Sequence, residues 1–125
     1  MTTGAEDRTP PVDVETDSVD GVVVVKVDGE VDMAGHDLIA GAFGAAIARK
    51  SSGVVLDLRG VTFFGSMGVD TIIGAIKASE RSGVALALAT EQRVVLRALR
   101  MTDLEAKVAV FPTLFEAMAS VAARR

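Results

Sequence analysis

The chain has 125 residues, half of them hydrophobic, a formal net charge of −4, one histidine and no cysteine, tryptophan or tyrosine. That is one domain of chain, long enough to bury a core of its own. With so few aromatics, Val, Leu, Ile and Ala must build that core, a composition suited to a buried sheet under Ala-rich helices. The missing cysteines exclude a disulfide framework and thiolate metal sites and fit a cytosolic protein. Scattered basic residues on an acidic chain argue against direct nucleic-acid binding. The polar start MTTGAEDRTPP is not a secretory signal, and no apolar run reaches the roughly 18 to 20 residues that span a membrane.

In chain order, residues 1–11 read as a disordered arm ending at Pro10-Pro11, with the domain running from 12 to 125. Val12-Asp13-Val14-Glu15 alternates at period two, as a half-exposed strand does. Asp20-Gly21 within Ser18-Val19-Asp20-Gly21 favours positive φ, so a tight turn leads into a strong strand over Val22–Val27. The short first strand is the expected sheet edge. After Gly29-Glu30-Val31-Asp32 the pattern changes from Ala34 onward to Leu38, Ile39, Ala42, Phe43, Ala46 and Ile47, one face of a helix. Gly41 and Gly44 lower the stability of that helix by about 1 kcal/mol each relative to Ala, which packing or a close approach to the sheet should offset. Lys50-Ser51-Ser52-Gly53 closes it with a cation and a glycine.

A strand over 54–58 follows, then Val61-Thr62-Phe63-Phe64, a second β-prone run, and a helix from Ser66 to about 82. Ser66 is expected as its N-cap and Gly83 as its left-handed C-terminal residue. Val84–Ala89 is apolar throughout and belongs in the sheet centre. Thr90 is expected to cap a third helix with Val94, Val95, Leu99 and Met101 buried. Val108-Ala109-Val110 makes a last strand. Pro112 suits the first turn of a final helix with Leu114, Phe115, Met118 and Val121 on its apolar face and Arg124-Arg125 at its end. The order ββαβαβαβα predicts an α/β domain: a mostly parallel sheet of four to five strands with an N-terminal antiparallel hairpin and about four helices packed on it.

The residue types that carry chemistry are sparse. A serine at a strand-to-helix turn resembles the nucleophile elbow, but the glycine required two residues earlier is Phe64, and the single histidine, His36, precedes the serine where the elbow places it after. His36 is expected to be exposed and without a role. Gly65 and Gly68 flank a helix N-terminus, where an anion can bind, yet neither GxxxxGK[ST] nor GxGxxG is present. Glu30 and Asp32 have no histidine or cysteine to complete a metal site; Asp32 reads as a helix cap and Glu30 as solvated. No cofactor, metal or catalytic residue is expected, and the chain is not expected to be an enzyme.

The stretch Leu56-Asp57-Leu58-Arg59-Gly60-Val61-Thr62-Phe63-Phe64-Gly65-Ser66-Met67-Gly68-Val69 resembles the signature of the STAS domain. Within that family it is most similar to the bacterial anti-sigma factor antagonists of the SpoIIAA and RsbV type: a strand, Asp or Asn followed by Leu, a polar link, an aromatic, then Asp-Ser-Ser/Thr-Gly opening a helix. Gly29-Glu30-Val31-Asp32 resembles the Gly-Glu-Leu-Asp landmark after the family's hairpin, and Phe111-Pro112-Thr113 its last strand-to-helix corner. The resemblance runs from about Val12 to Val121. It implies a cytoplasmic transcription regulator that works by partner switching. Such a protein binds an anti-sigma factor of the GHKL serine-kinase type and frees a sigma factor; phosphorylation releases it and a PP2C-like phosphatase resets it. The implied phosphoacceptor is Ser66, and the implied partner-binding residues are Asp32, Gly65, Ser66, Met67 and Gly68. Two departures stand out. Gly65 replaces the family aspartate, removing a charge, and Met67 replaces the second hydroxyl, leaving Ser66 as the local acceptor. The alternative implied by the same resemblance is a STAS-type sensory or scaffold module that binds a small ligand or another regulator without phosphorylation.

Overall fold

Asp20 and Gly21 both have positive φ, 51° and 84°, as a two-residue hairpin turn matched to right-handed strand twist requires. They join strand β1 (Val12–Val19) to β2 (Val22–Val31), with Val19 opposite Val22 and Val12 opposite Gly29. The computed structural model describes residues 12–122; the expected arm at 1–11 and the Arg124-Arg125 tail lie outside the described residues. Helix α1 (Met33–Ala48), β3 (Gly53–Phe64), α2 (Ser66–Ser82), β4 (Ala85–Ala89), α3 (Arg93–Met101), a 3-10 turn (Leu104–Ala106), β5 (Ala109–Phe111) and α4 (Leu114–Ala122) complete the chain. The order ββαβαβαβα is the one the hydrophobic pattern predicts. The sheet runs β1-β2-β3-β4-β5, antiparallel between β1 and β2 and parallel between the rest, with β1 at the edge as expected.

Strand alternation divides the core in two. Val23, Val25 and Val27 of β2, Val54, Leu56 and Leu58 of β3, and Leu86 and Leu88 of β4 face one way. They meet Ile39, Phe43 and Ala46 of α1, Ile72, Ala75 and Ile76 of α2, and Val95 and Leu99 of α3. On the other face Val22, Val24, Val55, Ala87 and Ala89 meet Ala117 and Val121 of α4. Three helices thus cover one face and one helix covers part of the other. Val84–Ala89 was expected at the centre, and both its faces are covered.

Several local expectations are corrected. The two β-prone runs at 54–58 and 61–64 form one twelve-residue strand. Gly60 lies within it, where the β2–β3 register shifts and the Asp28 side chain occupies the space that a Cβ at Gly60 would need. Asp57, 2% exposed, is a buried charge with a built-in partner. Arg59 donates to its two carboxylate oxygens through Nε at 2.8 Å and Nη2 at 2.9 Å, and its backbone N–H adds a third bond at 3.2 Å. A buried carboxylate is tolerated only when paired and hydrogen-bonded in this way. The same hydrogen bond holds the Arg59 guanidinium above its ordinary pKa.

At the end of α1, Lys50 takes the left-handed conformation (φ 55°) where Gly53 was expected to close the helix. Gly53 begins β3, where a Cβ would lie 2.6 Å from that of Val121. Gly41 and Gly44 do not bring α1 closer to the sheet: a Cβ at either meets nothing within 4 Å. Thr90 is not the cap of α3. Gln92 holds that position, and buried Thr90 instead accepts from the Gln92 N–H at 2.9 Å. Val94, Met101 and Phe115, expected inside, are exposed, as is Leu38. In α4 the buried positions are Ala117 and Val121. Its first turn is held by Thr113, whose hydroxyl accepts from the Glu116 N–H at 3.1 Å and donates to the Glu116 carboxylate at 2.9 Å, a capping arrangement; Pro112, expected in that turn, precedes it.

Candidate functional site

Parallel pairing of β2 with β3 places their last residues, Val31 and Phe64, opposite one another. The next residue on each strand starts a helix, so Asp32 and Gly65 emerge side by side at the carboxyl end of the sheet. In parallel α/β sheets ligands and partners meet the chain at that edge. Asp32 is the N-cap of α1, in extended conformation, and its Oδ1 accepts from the Gly35 N–H at 3.1 Å. This cap was expected, and Glu30 is exposed as expected. Gly35, just inside the cap, packs closely on Val12: a Cβ there would lie 3.3 Å from both of its methyls.

The start of α2 departs from expectation. The N-cap is Gly65, with no side-chain capping bond, and Ser66 is the first helical residue. With Gly65 as the cap the helix begins one residue earlier than a serine cap would have it, and the Phe63 ring lies beside Gly65, where a Cβ would come within 3.2 Å of its Cε2 and Cζ. Ser66 is exposed. The first intrahelical bond runs from the Val69 N–H to the Gly65 carbonyl at 3.1 Å. The amides of Ser66, Met67 and Gly68 therefore have no intrahelical acceptor, and they carry the positive end of the α2 dipole. Met67 is half-buried. Gly68 is fixed by packing, since a Cβ there would lie 2.7 to 2.8 Å from three atoms of the buried Phe64 ring.

His36 was expected to be exposed and without a role; it is half-buried and joins the two helices. Its Nδ1 lies 2.8 Å from Thr71 Oγ1, while that hydroxyl donates to the Met67 carbonyl at 2.7 Å. With the Thr71 proton committed to Met67, the hydroxyl accepts, so His36 Nδ1 is the donor. The chain of bonds from α1 through His36 and Thr71 to Met67 ties the first turns of α1 and α2 together. Sequence spacing of 35 residues gives no sign of it.

Beside this edge, β3 overhangs β4, whose pairing stops at Asp57 and Ala89, and α3 packs along the overhang. A groove of about 350 Å³ lies there, lined by Phe63, Phe64, Arg93, Val94, Arg97, Ala98 and Met101. Among the described residues no group of three or more His, Cys, Asp or Glu is placed to hold a metal ion, and no helix is long and apolar enough to cross a membrane. The site therefore offers an exposed hydroxyl at a helix N-terminus, a neighbouring capped carboxylate, and an apolar rim.

The STAS domain family model matches residues 13–117. The anti-sigma-F factor antagonist RsfB of Mycobacterium tuberculosis is 28% identical over 101 residues, which is 81% of this chain and 82% of that protein. An anti-sigma factor antagonist from Mycobacterium paratuberculosis superposes with a TM-score of 0.81 at 27% identity, covering 90% of this chain and 97% of that one. SpoIIAA in its unphosphorylated form superposes with a TM-score of 0.75 at 19% identity, over 89% of this chain and 97% of that one. The phosphorylated form from Bacillus gives 0.69 at 19%, over 87% and 99%; at such identity the likeness concerns the fold alone.

Proposed function

The chain belongs to the STAS domain family, and on that premise we propose that it is a cytoplasmic anti-sigma factor antagonist switched by phosphorylation of Ser66. The observation that carries the reading is the pairing of Val31 with Phe64, which sets the Asp32 cap and the exposed Ser66 hydroxyl at adjacent helix N-termini. The relatives named as anti-sigma factor antagonists support the partner class. The partner is an anti-sigma factor that is itself a GHKL-type serine kinase, and a PP2C-like phosphatase reverses its mark. Unphosphorylated, the domain presents Asp32, Gly65, Ser66, Met67 and Gly68 to that partner and displaces the sigma factor from it. The family is regulatory, and the chain supplies a substrate hydroxyl, not a catalyst.

In the switching step the Ser66 oxygen attacks the γ-phosphorus of ATP bound to the partner. The bond to the β-phosphate oxygen breaks, ADP leaves, and the hydroxyl proton passes to a base on the kinase. The product adds roughly −1.5 to −2 charges near pH 7. On the domain that charge meets three free amides and the α2 dipole, so the fold tolerates it. In the interface it would be a desolvated dianion, which is costly unless a cation matches it. Release follows from that asymmetry. Gly65 in place of aspartate leaves the first turn of α2 without an acidic residue, and the next carboxylate along the helix is the exposed Asp70, one turn on.

The test is displacement: purified domain is added to a preformed complex of labelled sigma factor and anti-sigma factor, and free sigma is read by fluorescence anisotropy. The expected result is release of sigma in the absence of ATP and its recapture on prolonged incubation with ATP. No release at saturating domain would overturn the assignment.

A further inference from the structure

Helix α3 has two apolar stripes where one suffices to attach it. Val95 and Leu99, four residues apart, are buried in the core. Val94, Ala98 and Met101, at i, i+4 and i+7, form a second stripe along the groove beside β3, with Arg93 and Arg97 on its lining. Met101 is 77% exposed and Phe63, on the opposite wall, 54%. Large apolar side chains gathered on one exposed groove mark an interaction surface more often than scattered ones do. Its charge is also one-sided. The chain carries net charge −4, yet α3 reads Arg93-Val94-Val95-Leu96-Arg97-Ala98-Leu99-Arg100-Met101, three arginines with no acidic residue. The ion pairs found among the described residues are Lys26–Asp28 and Arg59–Asp57, and Arg93, Arg97 and Arg100 enter neither of them. Arginine is also the cation that pairs bidentately with carboxylates.

From these observations we propose that the groove between the end of β3 and α3 seats an acidic amphipathic helix of the protein partner, its apolar face on Phe63, Val94 and Met101 and its carboxylates on Arg93 and Arg97. The inference rests on the partner-binding reading above and extends it from the α1 and α2 termini onto α3. The occupant follows from the chemistry of the groove: a helix-in-groove contact needs apolar anchors, and unpaired guanidinium groups flanking them select carboxylates. Phe63 lies three residues before Ser66 across the junction of β3 and α2, so the groove adjoins the first turn of α2.

The experiment uses full-length protein and the purified GHKL-type anti-sigma factor from the same genome that binds it, with titration calorimetry at low and high salt. Arg93→Glu/Arg97→Glu should weaken binding by about tenfold or more, the equivalent of about 1.4 kcal/mol. Wild-type binding should weaken with salt more steeply than that of the double variant. Thermal melts should match wild type, because both arginines are exposed. Glu→Lys changes on the partner's acidic helix should restore the affinity of the double variant. Unchanged affinity and salt dependence in the double variant, alongside loss of binding by Met67→Glu, would overturn the α3 seat and leave the partner-binding reading intact. Failure of wild-type protein to bind any anti-sigma factor would remove that reading, and this inference with it. A loss confined to binding of phosphatidylglycerol vesicles would assign the arginines to an anionic lipid surface and overturn the protein partner.

Discussion

Ala for Gly is one chemical change, and this fold should give it opposite signs at two kinds of site. At Gly44 and Gly74, in the interiors of α1 and α2, a Cβ meets nothing within 4 Å. The substitution there removes only the conformational freedom glycine keeps in the unfolded chain, and each should stabilise the protein by about 1 kcal/mol. At Gly68 the new methyl would stand 2.7 to 2.8 Å from Cγ, Cδ1 and Cε1 of Phe64, whereas carbon atoms settle at about 3.5 to 4.0 Å. The Phe64 ring is 7% exposed and packed in the main core cluster, so it must retreat by most of an ångström into filled space, or the first turn of α2 must lift. Overpacking of this kind costs about 1–3 kcal/mol, more than a first-turn residue gains in helix propensity. Differential scanning calorimetry should show Gly44→Ala and Gly74→Ala melting above wild type and Gly68→Ala below it, with a shift of about 4 °C per kcal/mol for a domain of this size. Gly68→Ala should also lose partner affinity, since the displaced turn carries Ser66. A Gly68→Ala protein as stable as wild type, or a destabilised Gly44→Ala and Gly74→Ala pair, would refute this account of how the ring fixes the loop.

The other expectations separate stability from recognition. Asp32→Ala removes the α1 cap and should cost about 0.5–2 kcal/mol, whereas Asp32→Ser keeps a capping oxygen and loses the charge; if the carboxylate recognises the partner, both variants lose affinity in calorimetry while only the alanine form loses appreciable melting temperature. Met67→Glu places an acid in the first turn of α2, where the dipole favours it by about 0.3–1 kcal/mol, so the domain should stay folded while binding falls at least tenfold; an unfolded variant would make half-buried Met67 a core residue. His36→Ala breaks the bond to Thr71 and should cost about 1 kcal/mol in urea melts, with a smaller loss of affinity than Met67→Glu because only the alignment of α1 and α2 is loosened.

Elements whose signals are local were legible in the amino-acid sequence. The Asp20-Gly21 turn, the Gly83 cap with its φ of 76°, the Asp32 cap and the apolar β4 each follow from backbone sterics or periodicity over a few residues. What stayed hidden depends on contacts between distant segments. Gly60 and Arg59 read as a break, yet the strand continues through both; Asp57 carries its own counter-ion and Asp28 fills the space beside the glycine. Val94, Met101 and Phe115 fit helical stripes, but periodicity shows that a helix has an apolar face, not how much of that face its neighbours cover. The serine at position 66 has a strong capping preference, yet the cap is Gly65 and Ser66 is the first helical residue. The His36–Thr71 bridge joins residues that only the parallel β2–β3 pairing brings together.

The central claim is that Ser66 is the switch. Because Gly65 is the cap, Ser66→Ala sacrifices no capping bond and should change stability by no more than about 0.5 kcal/mol, and Ser66→Asp should be at least as stable through the α2 dipole. The direct measurement is mass spectrometry of wild-type protein after incubation with its cognate anti-sigma kinase and ATP, read together with retention of the complex. A single phosphate on Ser66, dissociation of wild type, and an Ser66→Ala protein that stays bound in ATP are the predicted results. A phosphate elsewhere, or none while wild type remains bound, would contradict the account.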